Sequence, residues 1–371
     1  MKKRLDFFFC LLFVVLLALP FALSNFKKNQ VSELDNTYLP EIDWSEQVTA
    51  RERIGQLENY LNMRIGLRSL ALDGYVRLND SLFGLMDHPT YMYGKEGHVF
   101  YKTANYLLDY QHLNLDQPWA EHFTGWMQSF SDMAHAQGAE FYYLLIPDKK
   151  TVYSEYFPSG FNVLGELSRT DQILAELRKT DVNWFYCLDL LLEEKKTMPV
   201  ANVKYDAGHW NENGAFAVLR AQIDRMRERY PEIPPLMQEE FDIDTEHMDS
   251  LQTSHFPIDE DVPRYTRRET TAKEDSAWLK KHLTASEREN YCTHYVDPEH
   301  PELPTLLVIH DSYLMHEEKF FLGHFSEVTF LHRYNLTGPH VFARYLETIQ
   351  PDIVLYENPE RSFEIRFDPN Q

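Results

Sequence analysis

From Pro118 onward, the spacing of apolar residues alternates between that of a helix and that of a buried strand. One helical face is formed by Trp119, Phe123, Trp126, Met127 and Phe130. Strands are predicted at EFYYLLIP, NWFYCL, TLLVI, EVTFL and DIVLY, and further helices at TDQILAELRKT, GAFAVLRAQIDRMRERY and PHVFARYLETI. Because strands and helices alternate, we predict an α/β fold whose mostly parallel sheet is covered on both faces.

Two smaller patterns precede this region. Residues 46–85 have helical spacing and predict two helices broken near Gly66. The stretch YMYGKEGHVFY, Tyr91 to Tyr101, has alternating apolar positions around Gly94 and Gly97, and it predicts a hairpin-like turn.

The interval from about 231 to 304 interrupts the alternation. It is acidic and rich in proline, with EEFDIDTEHMD and PIDEDVP, and we predict an insertion with some helix around 273–290. The chain is therefore expected to have a helical N-terminal segment at 26–90 and an α/β domain at 91–371 that carries this insertion.

The N-terminus reads as a targeting segment. MKKRLD is followed by an apolar run from Phe7 to Leu23, near the lower limit of length for a bilayer core of roughly 30 Å. Residues 1–25 are expected to be a signal anchor or a signal peptide cleaved near Ser24. We favour the anchor because the run is long for a signal-peptide core. The positive end would stay in the cytoplasm, so the rest of the chain would be exported.

Charge and cysteine content exclude some partners. With 58 acidic and 36 basic residues the net charge is −22, and no basic stripe follows residue 30, so nucleic acid is not an expected partner. Cys10 lies in the apolar run, while Cys187 and Cys292 fit either one disulfide or two isolated thiols. No Cys/His spacing predicts zinc, so we expect no metal and no cofactor.

Two polar loops stand where strands of the predicted sheet end or helices begin. In TLLVIHDSYL, Ser312 directly follows a strand, where its backbone N–H and a helix behind it would stabilise an oxyanion. A serine needs a base and an orienting carboxylate, and YDAGHWN supplies His209 with Asp206 three residues earlier. We expect Ser312 and His209 to lie within side-chain reach, with Asp206 against His209.

Each pattern alone is common. An Asp-Ser pair caps many helices, and a D-x-x-H spacing occurs widely without catalysis. The combination of both loops beside helices favours a nucleophile–base–acid arrangement over isolated caps.

The blocks IPDKKTVYSEYFP, YDAGHWNENGAF, LLVIHDSYL and PDIVLYENPER, in this order and after GKEGHVFY, resemble the alginate O-acetyltransferase group of the SGNH hydrolase superfamily. The resemblance covers roughly residues 50–365. It implies a flavodoxin-like three-layer α/β/α domain, an exported site and acetyl transfer to polysaccharide hydroxyls. The Asp/His pair precedes the serine, which is a circularly permuted order relative to ordinary SGNH esterases.

The resemblance also implies roles for individual residues. Ser312 matches the nucleophile, His209 the base and Asp206 its orienting acid. The residues with substrate-binding or supporting roles are Asp311, Lys149, Trp210, Asn211 and Arg361. Of these, Lys149 and Arg361 fit structural ion-pair partners, and Trp210 fits a packing residue beside the histidine better than a sugar platform.

Three features depart from the group's pattern. His310 replaces the glycine usual before Asp-Ser, which puts a larger side chain beside the expected oxyanion hole. Asp206 lies three residues before His209 rather than two. No GxND block is present, so the side chain that would complete the oxyanion hole is unidentified.

The resemblance predicts an O-acetyltransferase that modifies an extracytoplasmic polysaccharide through a Ser acyl-enzyme. Acetyl-CoA is cytoplasmic, so the acetyl group would come from a membrane-bound O-acyltransferase partner. The protein would then be exported and membrane-anchored or periplasmic, in a bacterial cell envelope. The alternatives are an SGNH-type carbohydrate acetyl esterase and a catalytically inactive polysaccharide-binding scaffold, since a fold does not fix a function.

Overall fold

The computed structural model of the chain describes residues 2–27, 31–32, 37–45, 48–114, 117–252, 254 and 256–363. The helices are α1 Lys2–Ala22, α2 Ala50–Arg64, α3 Arg68–Phe83, α4 Ala104–Tyr110, α5 Gln117–Ala136, α6 Lys149–Val152, α7 Arg169–Leu177, α8 Leu188–Glu194, α9 Glu212–Arg227, α10 Ser276–His282, α11 Ala285–Arg288 and α12 Pro339–Ile349. The strands are β1 Val31–Ser32, β2 Thr37–Tyr38, β3 Tyr91–Tyr93, β4 Val99–Tyr101, β5 Glu140–Ile146, β6 Asn183–Tyr186, β7 Phe241–Ser250, β8 Pro257–Arg267, β9 Lys273–Glu274, β10 Cys292–Val296, β11 Thr305–His310, β12 Glu327–His332 and β13 Ile353–Pro359. Short 3₁₀ turns occupy Lys95–Gly97, Ser154–Tyr156, Gln238–Glu240, Glu318–Phe320 and Arg333–Asn335.

The chain forms two compact units, of which the first comprises Met1–Met92 and Met248–Glu260. In this unit α2 and α3 form the predicted helix pair, and the break lies at the predicted glycine. The N–H of Gly66 donates to the carbonyl of Pro20 over 2.8 Å. A Cβ at residue 66 would lie 2.5 Å from Leu23, so only glycine allows this close approach.

Within the described residues, no helix combines the length and the apolar character needed to cross a membrane. The signal anchor or signal peptide therefore stays a prediction.

The second unit, Tyr93–His247 and Asp261–Gln371, contains a seven-stranded mixed sheet in the order β6-β5-β13-β11-β12-β10-β9. The first five strands are parallel, as predicted, and β10 and β9 pair antiparallel at one side. The sequence did not predict β10, because CTHYV is short, partly polar and surrounded by acidic and proline-rich segments. The predicted helix around 273–290 is present as α10 and α11.

The strand order records a circular permutation. Counted from β11, the five parallel strands β12-β11-β13-β5-β6 have the order 2-1-3-4-5, which is the flavodoxin order. In this chain β5 and β6 come first and β11 follows, so the same sheet is traced from a different starting strand. The topology therefore agrees with the permuted order that the resemblance predicts.

Both faces of the sheet are buried. On one face, α5, α7 and α12 pack against strand residues such as Tyr143, Ile309 and Val354. Strand residues of the opposite parity, such as Leu144 and Val308, are also fully buried. Because successive strand residues point to opposite faces, this burial shows that both faces are covered.

The carboxyl ends of the parallel strands meet at one edge of the sheet. There β5 leads to Asp148 and Lys149, β11 to Asp311 and Ser312, and β13 to Glu360 and Arg361. Ligands of open α/β sheets bind at this edge, so it is where a site is expected.

Candidate active site

Ser312 lies in a run of turns directly after β11 and is within hydrogen-bond reach of a histidine. Its Oγ is 2.9 Å from Nε2 of His209, which comes from the loop before α9. Both side chains are partly exposed, so a substrate can reach them. The expected proximity of these two residues is therefore present.

Asp206 shapes the histidine loop and orients the ring. Its Oδ1 accepts the backbone N–H groups of Gly208 and His209, each over 2.7 Å, and its Oδ2 accepts Nδ1–H of His209 over 2.8 Å. Burial alone would raise the pKa of Asp206, but the charge of His209 and these hydrogen bonds outweigh burial and hold that pKa well below its usual range. The carboxylate is therefore ionised, and it directs the other ring nitrogen toward Ser312.

Lys149 holds this loop in place through main-chain oxygens. Its buried ammonium donates to the carbonyls of Val99, Val203 and Asp206 over 2.8–2.9 Å. Three donors meet three carbonyls, so the hairpin at 91–101, the start of α6 and the histidine loop are joined at one point. The expected structural role of Lys149 is thus seen in its bonds to main-chain carbonyls.

Asp311 binds the serine from the other side. Its Oδ1 lies 2.7 Å from the Oγ of Ser312 and accepts the backbone N–H of Ser312 over 2.6 Å. Its Oδ2 accepts Nε–H of Arg333 over 2.5 Å. Burial would raise the pKa of Asp311, but the guanidinium of Arg333 and the bond from Ser312 outweigh burial and lower it.

A fully buried carboxyl group also contacts Asp311. The backbone N–H of Asp311 donates to Oε2 of Glu357, a fully buried residue of β13. Burial, reinforced by the nearby Asp311 charge, raises the pKa of Glu357 well above its usual range and so favours its neutral form.

Two expectations about the oxyanion site are wrong. No helix starts at Ser312: turns continue to His316, whose φ of 70° is incompatible with an α-helix, and only a 3₁₀ turn follows at Glu318–Phe320. The dipole of a helix behind the serine is therefore not available. The backbone N–H of Ser312 is also already engaged by Asp311, so it does not point freely at an oxyanion.

Arg361 brings a buried positive charge to the same place. Its Nη2–H donates to Nε2 of His209 over 2.8 Å, and its Nη1–H donates to Asp148. The hydroxyl of Tyr313 lies 3.0 Å from Asp148 and 2.5 Å from the carbonyl of Gly208. Burial would lower the pKa of Arg361, but Asp148 and nearby tyrosines outweigh it and raise that pKa well above its usual range.

Gly208 makes room for this guanidinium. A Cβ at residue 208 would lie 2.5 Å from the Tyr101 ring and 2.8 Å from Nη1 of Arg361. A larger residue would displace one of them, so the glycine of the motif is a steric requirement.

The remaining predicted residues are structural in their contacts. Trp210 is buried and donates through Nε1–H to the carbonyl of Tyr313 over 3.0 Å. Asn211 caps α9, because its side chain accepts the N–H groups of Asn213 and Gly214. The buried ring of His310 has its nitrogens 2.9 Å and 3.2 Å from the carbonyls of Asp311 and Tyr291.

Sequence reasoning missed four residues of this site: Asp148, Tyr313, Arg333 and Glu357. Asp148 stood within the quoted IPDK motif and Tyr313 directly after Ser312, so both had a local signal. Arg333 and Glu357 follow or end other strands, and only the sheet order brings them to Asp311.

The cysteines and possible metal ligands complete the picture. Cys10, Cys187 and Cys292 are free thiols, so of the two alternatives the structure has isolated cysteines. Among the described residues, no three His, Cys, Asp or Glu side chains are grouped to hold a metal ion.

Fold and site together define an SGNH-like α/β protein. The family described as SGNH hydrolase-like domain, acetyltransferase AlgX matches residues 92–283. The chain belongs to this family. The matched residues include Asp206 and His209 and end before Ser312, so the place of Ser312 rests on geometry. No curated protein matches the chain in sequence.

The chain is similar to several solved structures, and the two with TM-scores above 0.5 support the fold. PatB1 of Bacillus cereus, in a structure with a sulfonyl adduct, is 14% identical with a TM-score of 0.55, and the match covers 73% of this chain and 97% of PatB1. A second PatB1 structure is 15% identical with a TM-score of 0.52, covering 72% and 95%. The O-acetyltransferase domain of Pseudomonas putida AlgJ is 17% identical with a TM-score of 0.47, covering 76% and 95%.

Replacing Lys149 by Met should destabilise the protein and its site. The change leaves three buried carbonyls without their donor, which should cost at least about 2 kcal/mol in the free energy of unfolding. Urea denaturation measures this loss. Lys196→Met is the matched control, because Lys196 is largely exposed and pairs only with Glu193 at the surface. The control should change stability by less than about 0.5 kcal/mol. Equal effects of the two changes would contradict the role of Lys149.

Proposed function

We propose that the protein is an O-acetyltransferase that acetylates hydroxyl groups of an extracytoplasmic polysaccharide through a Ser312 acyl-enzyme. The observation that carries the proposal is the hydrogen-bonded chain from Ser312 Oγ through His209 to Asp206, with distances of 2.9 Å and 2.8 Å. Membership of an acetyltransferase family supports it.

In the first half-reaction, Oγ of Ser312 attacks the acetyl carbonyl carbon of the donor. The hydroxyl proton moves to Nε2 of His209, and ionised Asp206 stabilises the resulting imidazolium. The tetrahedral intermediate collapses, the bond from the acetyl carbon to the donor's leaving group breaks, and the leaving group takes that proton. In the second half-reaction a sugar hydroxyl gives its proton to Nε2 and attacks the carbonyl carbon of the acetyl-serine. The bond from that carbon to Oγ then breaks, and Oγ takes the proton from Nε2, which restores Ser312 and His209.

Arg361 is proposed to stabilise the oxyanion. In the resting site, the guanidinium of Arg361 and the hydroxyl of Ser312 both lie within hydrogen-bond distance of Nε2 of His209. Neutral Nε2 has one lone pair, so both donors cannot use it fully. As negative charge develops on the acetyl oxygen, Nη2–H gains a stronger acceptor there, and its departure leaves Nε2 free for the serine proton. This supplies the side chain that no GxND block provides.

Asp311 is proposed to position the serine before reaction. Its Oδ1 competes with His209 for the single hydroxyl proton of Ser312, at 2.7 Å against 2.9 Å. Because Arg333 stabilises the Asp311 carboxylate, the serine is held in one rotamer until the donor arrives.

The esterase alternative uses the same groups with water as the acceptor. Both reactions share the acyl-enzyme, and they differ only in what attacks it. Incubation with 4-nitrophenyl acetate, with and without glycans, followed by intact-mass measurement of protein and glycan separates them. Acetylated glycan supports the transferase, released acetate alone supports the esterase, and absence of acetyl-Ser312 supports the inactive scaffold.

Replacing Ser312 or His209 by Ala should lower turnover of 4-nitrophenyl acetate by about 10³-fold or more, with little change in melting temperature. The double variant should be little worse than either single one, because nucleophile and base act as a unit. A stopped assay and thermal unfolding measure both quantities. Ser131→Ala is the matched control, since Ser131 is buried in α5 and its hydroxyl has no hydrogen-bond partner among the described residues. Wild-type turnover in Ser312→Ala would point to another nucleophile.

Arg361→Lys should slow acylation by about 10²-fold, as loss of an oxyanion donor does, although the positive charge remains. A lysine has no planar fork to reach Asp148 and the acetyl oxygen together. Stopped-flow release of 4-nitrophenol measures the acylation rate, and a sulfonyl fluoride labels the serine as an independent readout. Arg227→Lys, at the exposed end of α9, is the control. Unchanged acylation in Arg361→Lys would rule out the oxyanion role.

We further propose that the protein is exported to a bacterial cell envelope and held at the membrane by the run Phe7–Leu23, near a membrane-bound O-acyltransferase. Deletion of residues 2–18 should leave ester turnover intact and abolish polymer acetylation in cells. The deletion stops before Pro20 because Pro20 and Asn25 bond to Gly66 and Arg64. Fractionation and acetyl analysis of the polymer are the measurements. Recovery of the full-length protein in the cytoplasm would contradict export. Normal polymer acetylation in cells without membrane O-acyltransferases would contradict the relay.

A further inference from the structure

Two exposed aromatic rings form a corner beside the nucleophile loop. Tyr291 and His316 have ring centroids 5.4 Å apart and planes at 81°, and both are exposed, Tyr291 by 52%. Neither ring is needed for the reaction steps derived above. Aromatic side chains line many ligand sites, so an exposed pair beside the nucleophile is a candidate ligand contact.

Both residues are fixed to the loop that carries Ser312. His316 ends the run of turns that begins at Ser312. The carbonyl of Tyr291 lies 3.2 Å from Nε2 of His310, the last residue of β11. Tyr291 also directly precedes β10, which is antiparallel to β12, so it stands at the carboxyl edge of the parallel strands. The corner and the nucleophile therefore share one edge of the sheet.

The backbone at both positions has a positive φ. Tyr291 has a φ of 39° and His316 a φ of 70°. Histidine is among the residues that tolerate this region, whereas a bulky tyrosine is an outlier there. Asn290, whose residue type adopts a positive φ more readily, directly precedes Tyr291, yet the positive φ falls on the tyrosine. Strained residues of this kind cluster at active sites and ligand clamps.

We propose that Tyr291 and His316 form a subsite that binds one neutral pyranose ring of the acceptor glycan. The apolar face of a sugar ring carries C–H groups that pack against the negative face of an aromatic ring, and the second ring closes the side of the site. This inference rests on the proposed acetyl transfer to a polysaccharide.

Charge favours a neutral sugar over a uronate. The chain carries a net charge of −22, and the partly exposed Glu318 lies two residues after His316. Two cations of the nucleophile edge, Arg333 and Arg361, are already paired with Asp311 and Asp148. A polyanionic acceptor would be repelled at this corner, because like charges raise the cost of association.

The test replaces the rings by glycine, which suits the positive φ at both positions. The full-length Tyr291→Gly/His316→Gly protein should keep its turnover of 4-nitrophenyl acetate within about twofold and keep or raise its melting temperature. With cellohexaose as acceptor, KM for acetyl transfer should rise about tenfold, as expected for two lost ring contacts. The carbonyl of Tyr291 that faces His310 is retained in this variant.

Two further variants test whether loss of the rings themselves causes the change in KM. Tyr291→Trp/His316→Phe should restore a KM near that of the wild type, because rings return to both positions. Gln350→Gly is the matched control: Gln350 also has a positive φ, of 50°, but lies before β13 at the opposite edge of the sheet. It should leave KM for cellohexaose unchanged.

The outcomes separate this subsite from the acetyl transfer on which it rests. If the wild type transfers acetyl groups and the glycine variant has an unchanged KM, the subsite is refuted. A parallel fall in ester turnover and transfer would show a merely structural role, and preference for hexamannuronate over cellohexaose would refute the neutral class. If the wild type acetylates neither glycan, the proposed transferase activity is refuted.

In that case equilibrium dialysis of Ser312→Ala with cellohexaose tests the subsite. Binding that is lost when the rings are removed supports the subsite, and no binding or unaffected binding refutes it.

Discussion

The buried ammonium of Lys149 is the contact on which the rest of the site depends. It binds the carbonyls of Val99, Val203 and Asp206, so it joins the hairpin, the end of β5 and the histidine loop. With those oxygens satisfied, the carboxylate of Asp206 is left to close the turn and to orient His209. A buried cation thus positions Asp206 and His209 without contacting the reactive atoms, Nε2 of His209 and Oγ of Ser312. Residues that orient the ligands of a metal ion act in the same indirect way.

Around this anchor, charges are balanced in pairs at the carboxyl edge of the sheet. Arg333 pairs with Asp311 and Arg361 pairs with Asp148, while burial raises the pKa of Glu357 and so favours its neutral form. Unpaired, each of these buried groups would cost several kcal/mol. Two competitions remain at Ser312 and His209: Arg361 and Ser312 both approach Nε2 of His209, and Asp311 and His209 both approach the hydroxyl of Ser312.

Much of this arrangement could be predicted from sequence, and the limits are physical. The alternation of strands and helices, the break at Gly66 and the pairing of the two loops were all local patterns. The strand β10 was missed because its burial comes from β12 and not from its own apolar residues. A helix after Ser312 was wrongly expected because nothing local announces the positive φ of His316. The three partners of Lys149 are main-chain carbonyls, which every residue has. Side-chain identities therefore do not indicate which of them Lys149 binds.

The permuted strand order has a consequence for how the molecule is made. β13 follows the other strands of the sheet in sequence, yet it lies between β5 and β11. Until it is synthesised, β5 and β11 each present an open edge of main-chain hydrogen-bonding groups, the usual template for aggregation. The sheet then closes across a separation of about 200 residues, so we expect slow folding with a long-lived intermediate. We therefore expect the chain to be most prone to aggregation at those two edges until β13 has been synthesised.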